Sequence, residues 1–456
     1  MKKKEKITFE DDDCFALEQF SKRLESFIGV EHDYVEESLV LSLNAGFGCG
    51  KTTFIDMWRS SLLDRRADGQ FVPMPIILNA WESDHCGDPL LAILAGLVAA
   101  VEQWKGADAL DKHTFKEAAK DVGWFATGLA SEFAAKWTGL NLVKAGDLAE
   151  KKKGEWTQKN PDFIELYQQR MAALMALKIQ LAAAFVGVTP KVLVFVDELD
   201  RCRPDYAVSF LETIKHVFDV EGMVFIFAVD YAHLSGSAKA LYGSELKFDD
   251  YFRKFFHRSF NLPNIDETAC QKLAERFVEK YLRVEGKRSS IMELDRYRVE
   301  QIVKFVVGLR MPPRQIQEAF GILGHTLSTE DQSKIGKLYW CIGAGTILLT
   351  ILWTAAKEVY EGIGKASMSH EDVGHFLIEK LGPKEADWWF RVYLTGFSEI
   401  YNNDSEINAE TVLRNLKLVV GEYDLAKGLS EFLHGWGMNS FGIKEIHRKI
   451  ETAESF

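Results

Sequence analysis

With 456 residues, 47% of them hydrophobic and 27% charged, the chain can bury a large core and is excluded from the disordered and fibrous classes. Its formal net charge of −12 repels phosphate backbones, so nucleic acid is not an expected partner. The six cysteines (Cys14, Cys49, Cys86, Cys202, Cys270 and Cys341) form no C-x-x-C pair, which speaks against a zinc site or a disulfide framework.

The N-terminus, Met1-Lys2-Lys3-Lys4-Glu5-Lys6, is basic but leads into Glu10-Asp11-Asp12-Asp13 instead of an apolar run. No signal peptide is read there, and the expected location is cytoplasmic. Residues 14–30 carry Leu17, Phe20, Leu24, Phe27 and Ile28 at helical spacing. Residues 39–44 predict a short buried strand, then a glycine-rich loop, then a helix over 53–63. A second strand is expected over 75–81 and a helix over 89–101. Residues 105–190, rich in Ala, Lys and Glu, contain no strand-like run and read as a helical insertion. Strands return at 192–197 and 223–230, with a helix over 206–218 between them.

Near-continuous apolar strands alternating with helices predict an α/β fold with a mostly parallel sheet covered on both faces. From 266 onward the chain reads as helices. The expected organisation is therefore an α/β core in two parts, 1–104 and 191–265, a helical insertion over 105–190, and a C-terminal helical region over 266–456.

Two apolar stretches raise the question of a membrane. Residues 338–356 carry no charge, which makes them a span candidate; the plainer reading is a buried helix. Residues 122–140 contain Glu132 and Lys136, which suit no bilayer span. Phe125, Leu129, Phe133 and Trp137 recur there every four residues, a stripe for internal packing or for a peripheral membrane or partner surface. The run Trp388-Trp389-Phe390-Arg391-Val392-Tyr393 is either a core helix or an anchor for a partner.

The loop Ala45-Gly46-Phe47-Gly48-Cys49-Gly50-Lys51-Thr52 has the spacing of a phosphate loop between a strand and a helix. Several backbone N–H groups must face one anion, and a Cβ obstructs that approach, so Gly46, Gly48 and Gly50 are in place for a reason. Lys51 is the point charge for the β- and γ-phosphates of ATP. Thr52 is a hydroxyl ligand for Mg²⁺, and Thr53 follows it at the helix N-terminus. Cys49 reads as a small filler residue. The apolar run ending in Asp197-Glu198 has the form of a Walker B segment. Asp197 is the expected Mg²⁺ partner, through water, and Glu198 the group that polarises the attacking water. No Asn-Lys-x-Asp guanine element is found, which favours ATP over GTP. Asp230, at the end of the next strand, either orients that water or caps a helix.

The run Asp197-Glu198-Leu199-Asp200-Arg201-Cys202-Arg203-Pro204 resembles the D-D-L-D-R-C-x-P signature of KAP-family P-loop NTPases. Phe47-Gly48-Cys49-Gly50-Lys51-Thr52 is similar to that family's W-G-S-G-K-[ST] loop, and Asn79-Ala80-Trp81 to its N-A-W element. Asn261-Leu262-Pro263 and Pro313-Arg314 match further family segments, so the resemblance covers about residues 9–330. It implies the additional-strand, catalytic-glutamate class of NTPases. It also implies a sensor role for Arg314 at the γ-phosphate and a finger supplied to a neighbouring subunit by Arg253, Lys254 or Arg258, against the alternative of a solvated basic face. Arg201 reads equally as structural, paired with Asp200 or Glu212.

Two jobs follow. One is an ATP-driven switch with nucleotide-gated self-association, set by family analogy in bacterial defence against phage. The other is an ATP-binding scaffold with slow turnover that docks a protein partner.

Overall fold

The computed structural model describes residues 6–31, 34–35, 37–85, 87–103, 119, 163–184, 192–264, 266–282, 289–290, 296–329, 338–397, 409–418, 425–437 and 442–454. The stripe Phe125, Leu129, Phe133 and Trp137 lies outside them. The chain divides into two compact units, Met1–Pro263 and Asn264–Phe456.

The first unit is built on five strands: β1 (Leu39–Asn44), β2 (Met74–Asn79), β3 (Val192–Asp197), β4 (Met223–Val229) and β5 (Arg258–Asn261). Their order across the sheet is β2-β3-β4-β1-β5, and every neighbouring pair is parallel. The helices in chain order are α1 (Phe9–Asp12), α2 (Leu17–Glu31), α3 (Lys51–Ala67), α4 (Ala80–Asp84), α5 (Pro89–Gln103), α6 (Phe163–Ala184), α7 (Pro204–Val217), α8 (Tyr231–Tyr242) and α9 (Phe248–Phe252).

Side chains alternate across each strand, and both faces are buried. Val192, Val194 and Val196 of β3 point into one core with Met223, Phe225 and Phe227 of β4, covered by α5 and α7. Leu193 and Phe195 point the other way, into a core with Leu39, Leu41 and Leu43 of β1, covered by α2 and α3. A sheet apolar on both faces must be covered on both, and parallel crossovers put the helices there.

The expected strands at 39–44 and 192–197 match the observed ones. At the second strand the end differs. The Asn79 side chain accepts the amides of Trp81 and Glu82, so the chain turns into α4 and Ala80 and Trp81 are helical. Likewise β4 stops at Val229, because Asp230 caps α8. Strand β5 begins at Arg258, the last of the three basic residues considered as a finger. Among the described strands it pairs with β1 alone, at the sheet edge, and an edge strand needs no apolar run.

The second unit holds α10 (Glu267–Phe277), α11 (Arg296–Gly308), α12 (Pro313–Leu327), α13 (Trp340–Ala355), α14 (Lys357–Gly364), α15 (His370–Leu381), α16 (Pro383–Thr395), α17 (Ala409–Asn415), α18 (Leu425–Trp436) and α19 (Ile443–Glu454). A two-residue antiparallel ladder, β6 (Ser289–Ser290) with β7 (Ser328–Thr329), interrupts the expected run of helices. The uncharged stretch forms α13, which is buried on nearly every side and packs against α12, α16, α18 and α19. Among the described residues no helix is long and apolar enough to cross a membrane. Trp389, Phe390, Val392 and Tyr393 are core residues of this unit, as the reading of a core helix expects.

Candidate functional site

The carboxyl ends of β1, β2, β3 and β4 converge on one edge of the sheet, where ligands of open parallel sheets are bound. The phosphate loop leaves β1 there. Its Ala45 amide donates to the Val229 carbonyl at 3.1 Å, which continues the β1–β4 ladder by one step before the loop opens. Gly48 and Gly50 hold φ of 77° and 94°, the left-handed region in which a Cβ is strained. Gly50 then caps α3, whose first residues are Lys51, Thr52 and Thr53. Phe47 extends outward from the loop, 57% exposed.

Asn44 knits this edge together. Its side-chain oxygen accepts the Tyr231 amide at 2.9 Å, its amide nitrogen donates to Asn261 at 2.9 Å, and its carbonyl accepts the Leu262 amide at 2.9 Å. One polar residue at the last position of β1 therefore fixes the ends of β4 and β5 beside the loop.

Lys51 is buried. Its ammonium donates to the Ala45 carbonyl at 2.7 Å and lies 3.4 Å from Asp200 Oδ2. The same Asp200 oxygen accepts the Asp230 amide at 3.1 Å. Asp200 thus ties the lysine to the end of β4. From the sequence alone Asp200 is expected only as a partner for Arg201. Its signal was its place in the signature, an acidic residue in a 3₁₀ turn, Leu199–Arg201, directly after β3.

Thr52 lies beside the Asp197 carboxylate and favours its charged form. Asp197 is buried, and burial pushes its carboxyl above the usual range. The neighbouring Glu198 and Asp200 carboxylates add to the rise, and Thr52 and the bond from the Glu198 amide oppose it. A desolvated carboxylate beside a hydroxyl and flanked by two more acids is a fitting site for a hard divalent cation such as Mg²⁺. Among the described residues no group of three or more His, Cys, Asp or Glu forms a metal cage.

Glu198 has φ of 61°, unusual for a residue with a Cβ. The left-handed turn aims its side chain back across the strand ends. One oxygen accepts from Asn79 Nδ2 at 3.1 Å, and the other pairs with Arg201 at 3.1 Å. Arg201 therefore pairs with Glu198, not with Asp200 or Glu212 as the sequence suggested, because the 3₁₀ turn brings positions i and i+3 onto one side.

The rest of the signature is structural. Cys202 is buried, its thiol donates to the Glu198 carbonyl at 3.6 Å, and burial pushes its pKa up to about 12. The Arg203 guanidinium donates to Asp84 Oδ1 at 3.0 Å and to the Asp84 carbonyl at 2.9 Å, joining the end of α4 to the start of α7. Pro204 opens α7, where its missing N–H is harmless. Burial also raises Cys49, against the pull of Lys51, so it stays a thiol, in keeping with a filler residue.

The Asp230 carboxylate accepts the amides of Ala232 and His233, the capping arrangement. Arg258 pairs with Glu31 at 2.8 Å along β5, and Arg253 is an exposed residue ending α9. Arg314 is exposed in the first turn of α12, in the second unit.

Residues 18–329, well over half of the chain, match the KAP family P-loop domain. The chain belongs to the KAP family of P-loop NTPases. The match spans the phosphate loop, the signature from Asp197 to Pro204 and Arg314, and it makes the loop a nucleotide site. No curated protein matches the chain. Among solved structures it is similar to the ORC2 protein of Aeropyrum pernix. In the ADPNP–ADP complexes of that protein the identity is 12% and the TM-score 0.35, over 97% of this chain and 95% of that one. In its ADP form they are 11% and 0.36, over 95% and 93%.

Proposed function

We propose that this KAP protein is a Mg²⁺-dependent ATPase of the additional-strand, catalytic-glutamate class, acting as a nucleotide-driven switch. The observation that carries the reading is the gathering of Lys51, Thr52, Asp197 and Glu198 at one sheet edge around the phosphate loop. The class is supported by β4, which lies between the loop strand β1 and the Asp197 strand β3. In this reading the loop amides and Lys51 bind the phosphates, and Thr52 and Asp197 hold Mg²⁺. Glu198 orients and deprotonates the attacking water. Asp230 is given the lesser role of fixing the start of α8. Arg314 is assigned as a γ-phosphate sensor, and self-association through Arg253 or Arg258 as a consequence of ATP binding. Anti-phage defence is the process assigned by family analogy.

The decisive comparison is between binding and turnover. Glu198→Gln is expected to bind ATP as wild type does and to lose hydrolysis by about two to four orders of magnitude. Lys51→Ala is expected to lose binding. Because that change also orphans the buried Asp200 carboxylate, Lys51→Ala with Asp200→Asn is the folded control. Equal hydrolysis by wild type and Glu198→Gln would remove the base role. Mass measurement with and without ATP tests assembly, and an unchanged monomer would remove the trans arginine. Plaque formation on bacterial cells carrying wild type or Glu198→Gln tests the defence setting; equal protection by both, or by neither, would sink an ATPase role there.

A further inference from the structure

The described contacts of Arg201 all lie at the nucleotide edge. One guanidinium nitrogen is 3.1 Å from Glu198 Oε1. The guanidinium carbon lies 5.5 Å from the centre of the Phe47 ring and 5.7 Å from that of Trp81. Both rings are half exposed, at 57% and 52%, although large aromatic side chains are ordinarily covered. Phe47 belongs to the phosphate loop and Trp81 to α4, the helix capped by Asn79. Asn79 in turn holds the second Glu198 oxygen at 3.1 Å. A planar cation placed against two rings is held in orientation as well as in position.

We infer that Arg201 is a positioning residue that registers the Glu198 carboxylate to the phosphate loop. The inference rests on the reading of Glu198 as the water-polarising base. A base misplaced by about 1 Å can cost a hundredfold in rate, and a glutamate side chain has several rotatable bonds. Asn79 fixes one oxygen to the end of β2. Arg201 fixes the other to a loop whose own amides set where the phosphates lie. The Phe47 ring is the mechanical link, because any movement of the loop carries the ring and the guanidinium with it. The left-handed backbone at Glu198 makes the arrangement reachable, since it turns the carboxylate toward the Arg201 side of the strand end. Each oxygen still keeps a lone pair for water, so the clamp leaves the base able to act.

The test is steady-state ATP hydrolysis with Mg²⁺ in the full chain. Arg201→Gln is expected to lower kcat at least tenfold while KM stays within about twofold, since orientation of the base is felt at the chemical step. Trp81→Leu is expected to lower kcat severalfold, and Trp81→Phe, which keeps a ring, to recover most of the loss. A residue that merely braces the fold would lower melting temperature and raise KM together, with no recovery by Phe. That pattern, or a kcat for Arg201→Gln within twofold of wild type, overturns the inference. Glu198→Gln separates the two levels. If it hydrolyses ATP normally, the base reading itself has failed. If it is inactive while Arg201→Gln is fully active, only the role of Arg201 has.

Discussion

Asp197 carries opposing demands on one side chain. Burial raises its pKa above the ordinary 3.8, so the folded protein holds the proton more tightly than the unfolded chain does. The folded state therefore binds more protons between those two values, and stability falls as pH rises from about 3.8 through the folded pKa. At neutral pH the ionised carboxylate destabilises the fold unless a cation faces it. Asp197→Asn keeps an oxygen for the Glu198 amide and for Thr52 and removes the charge. It is expected to raise the melting temperature at pH 7 without divalent cations by a few degrees, to flatten its pH dependence above pH 4, and to abolish Mg²⁺-dependent hydrolysis. A lower melting temperature in thermal scans across pH would show that the hydrogen bonds outweigh the desolvated charge. The residue types at this site were legible in the sequence, because a phosphate loop and a Walker B end are contiguous patterns. The pairing of Arg201 was not. A run of acids offers an arginine several partners, and only the backbone conformation at Glu198 selects one.

At the scale of elements, boundaries followed capping chemistry where periodicity overran. Asn79 and Asp230 each end a strand and open a helix by accepting two amides, so the strand signal continued one or two residues too far. Helix α13 shows the reverse case, in which a length of uncharged chain is settled by its neighbours. Two of its threonines are satisfied within the helix. Thr346 donates to the Ile342 carbonyl at 2.8 Å and Thr354 to that of Thr350 at 3.1 Å. The Thr350 hydroxyl, fully buried, has no hydrogen-bond partner in the structure. An unsatisfied buried hydroxyl costs about 1–3 kcal/mol. Thr350→Val, nearly the same shape, is expected to stabilise the second unit by about 1 kcal/mol in urea or thermal unfolding. A loss of stability instead would mean that the hydroxyl is satisfied in solution.

For the molecule as a whole, the two cores of the sheet are formed, among the described residues, by residues up to Leu262. The site's phosphate loop, Asp197 and Glu198 also lie within Met1–Pro263. A chain ending at Pro263 is expected to unfold cooperatively and to keep ATP binding, weakened by loss of the γ-phosphate contact assigned to Arg314. Non-cooperative melting, or loss of ATP binding in calorimetry, would show that the helical unit is needed to complete the fold or the site. The amino-acid sequence by itself determined the phosphate loop, the four apolar strands and the family, because each is written in neighbouring residues whose local geometry has few solutions. Only the tertiary structure decided which groups meet. Asn79 reaches Glu198 across 119 residues of chain, and Asn44 reaches Asn261 across 217. Those contacts exist because parallel pairing in the order β2-β3-β4-β1-β5 brings the strand ends to one edge. No local pattern encodes that order, because it is set by pairing between strands far apart in the chain.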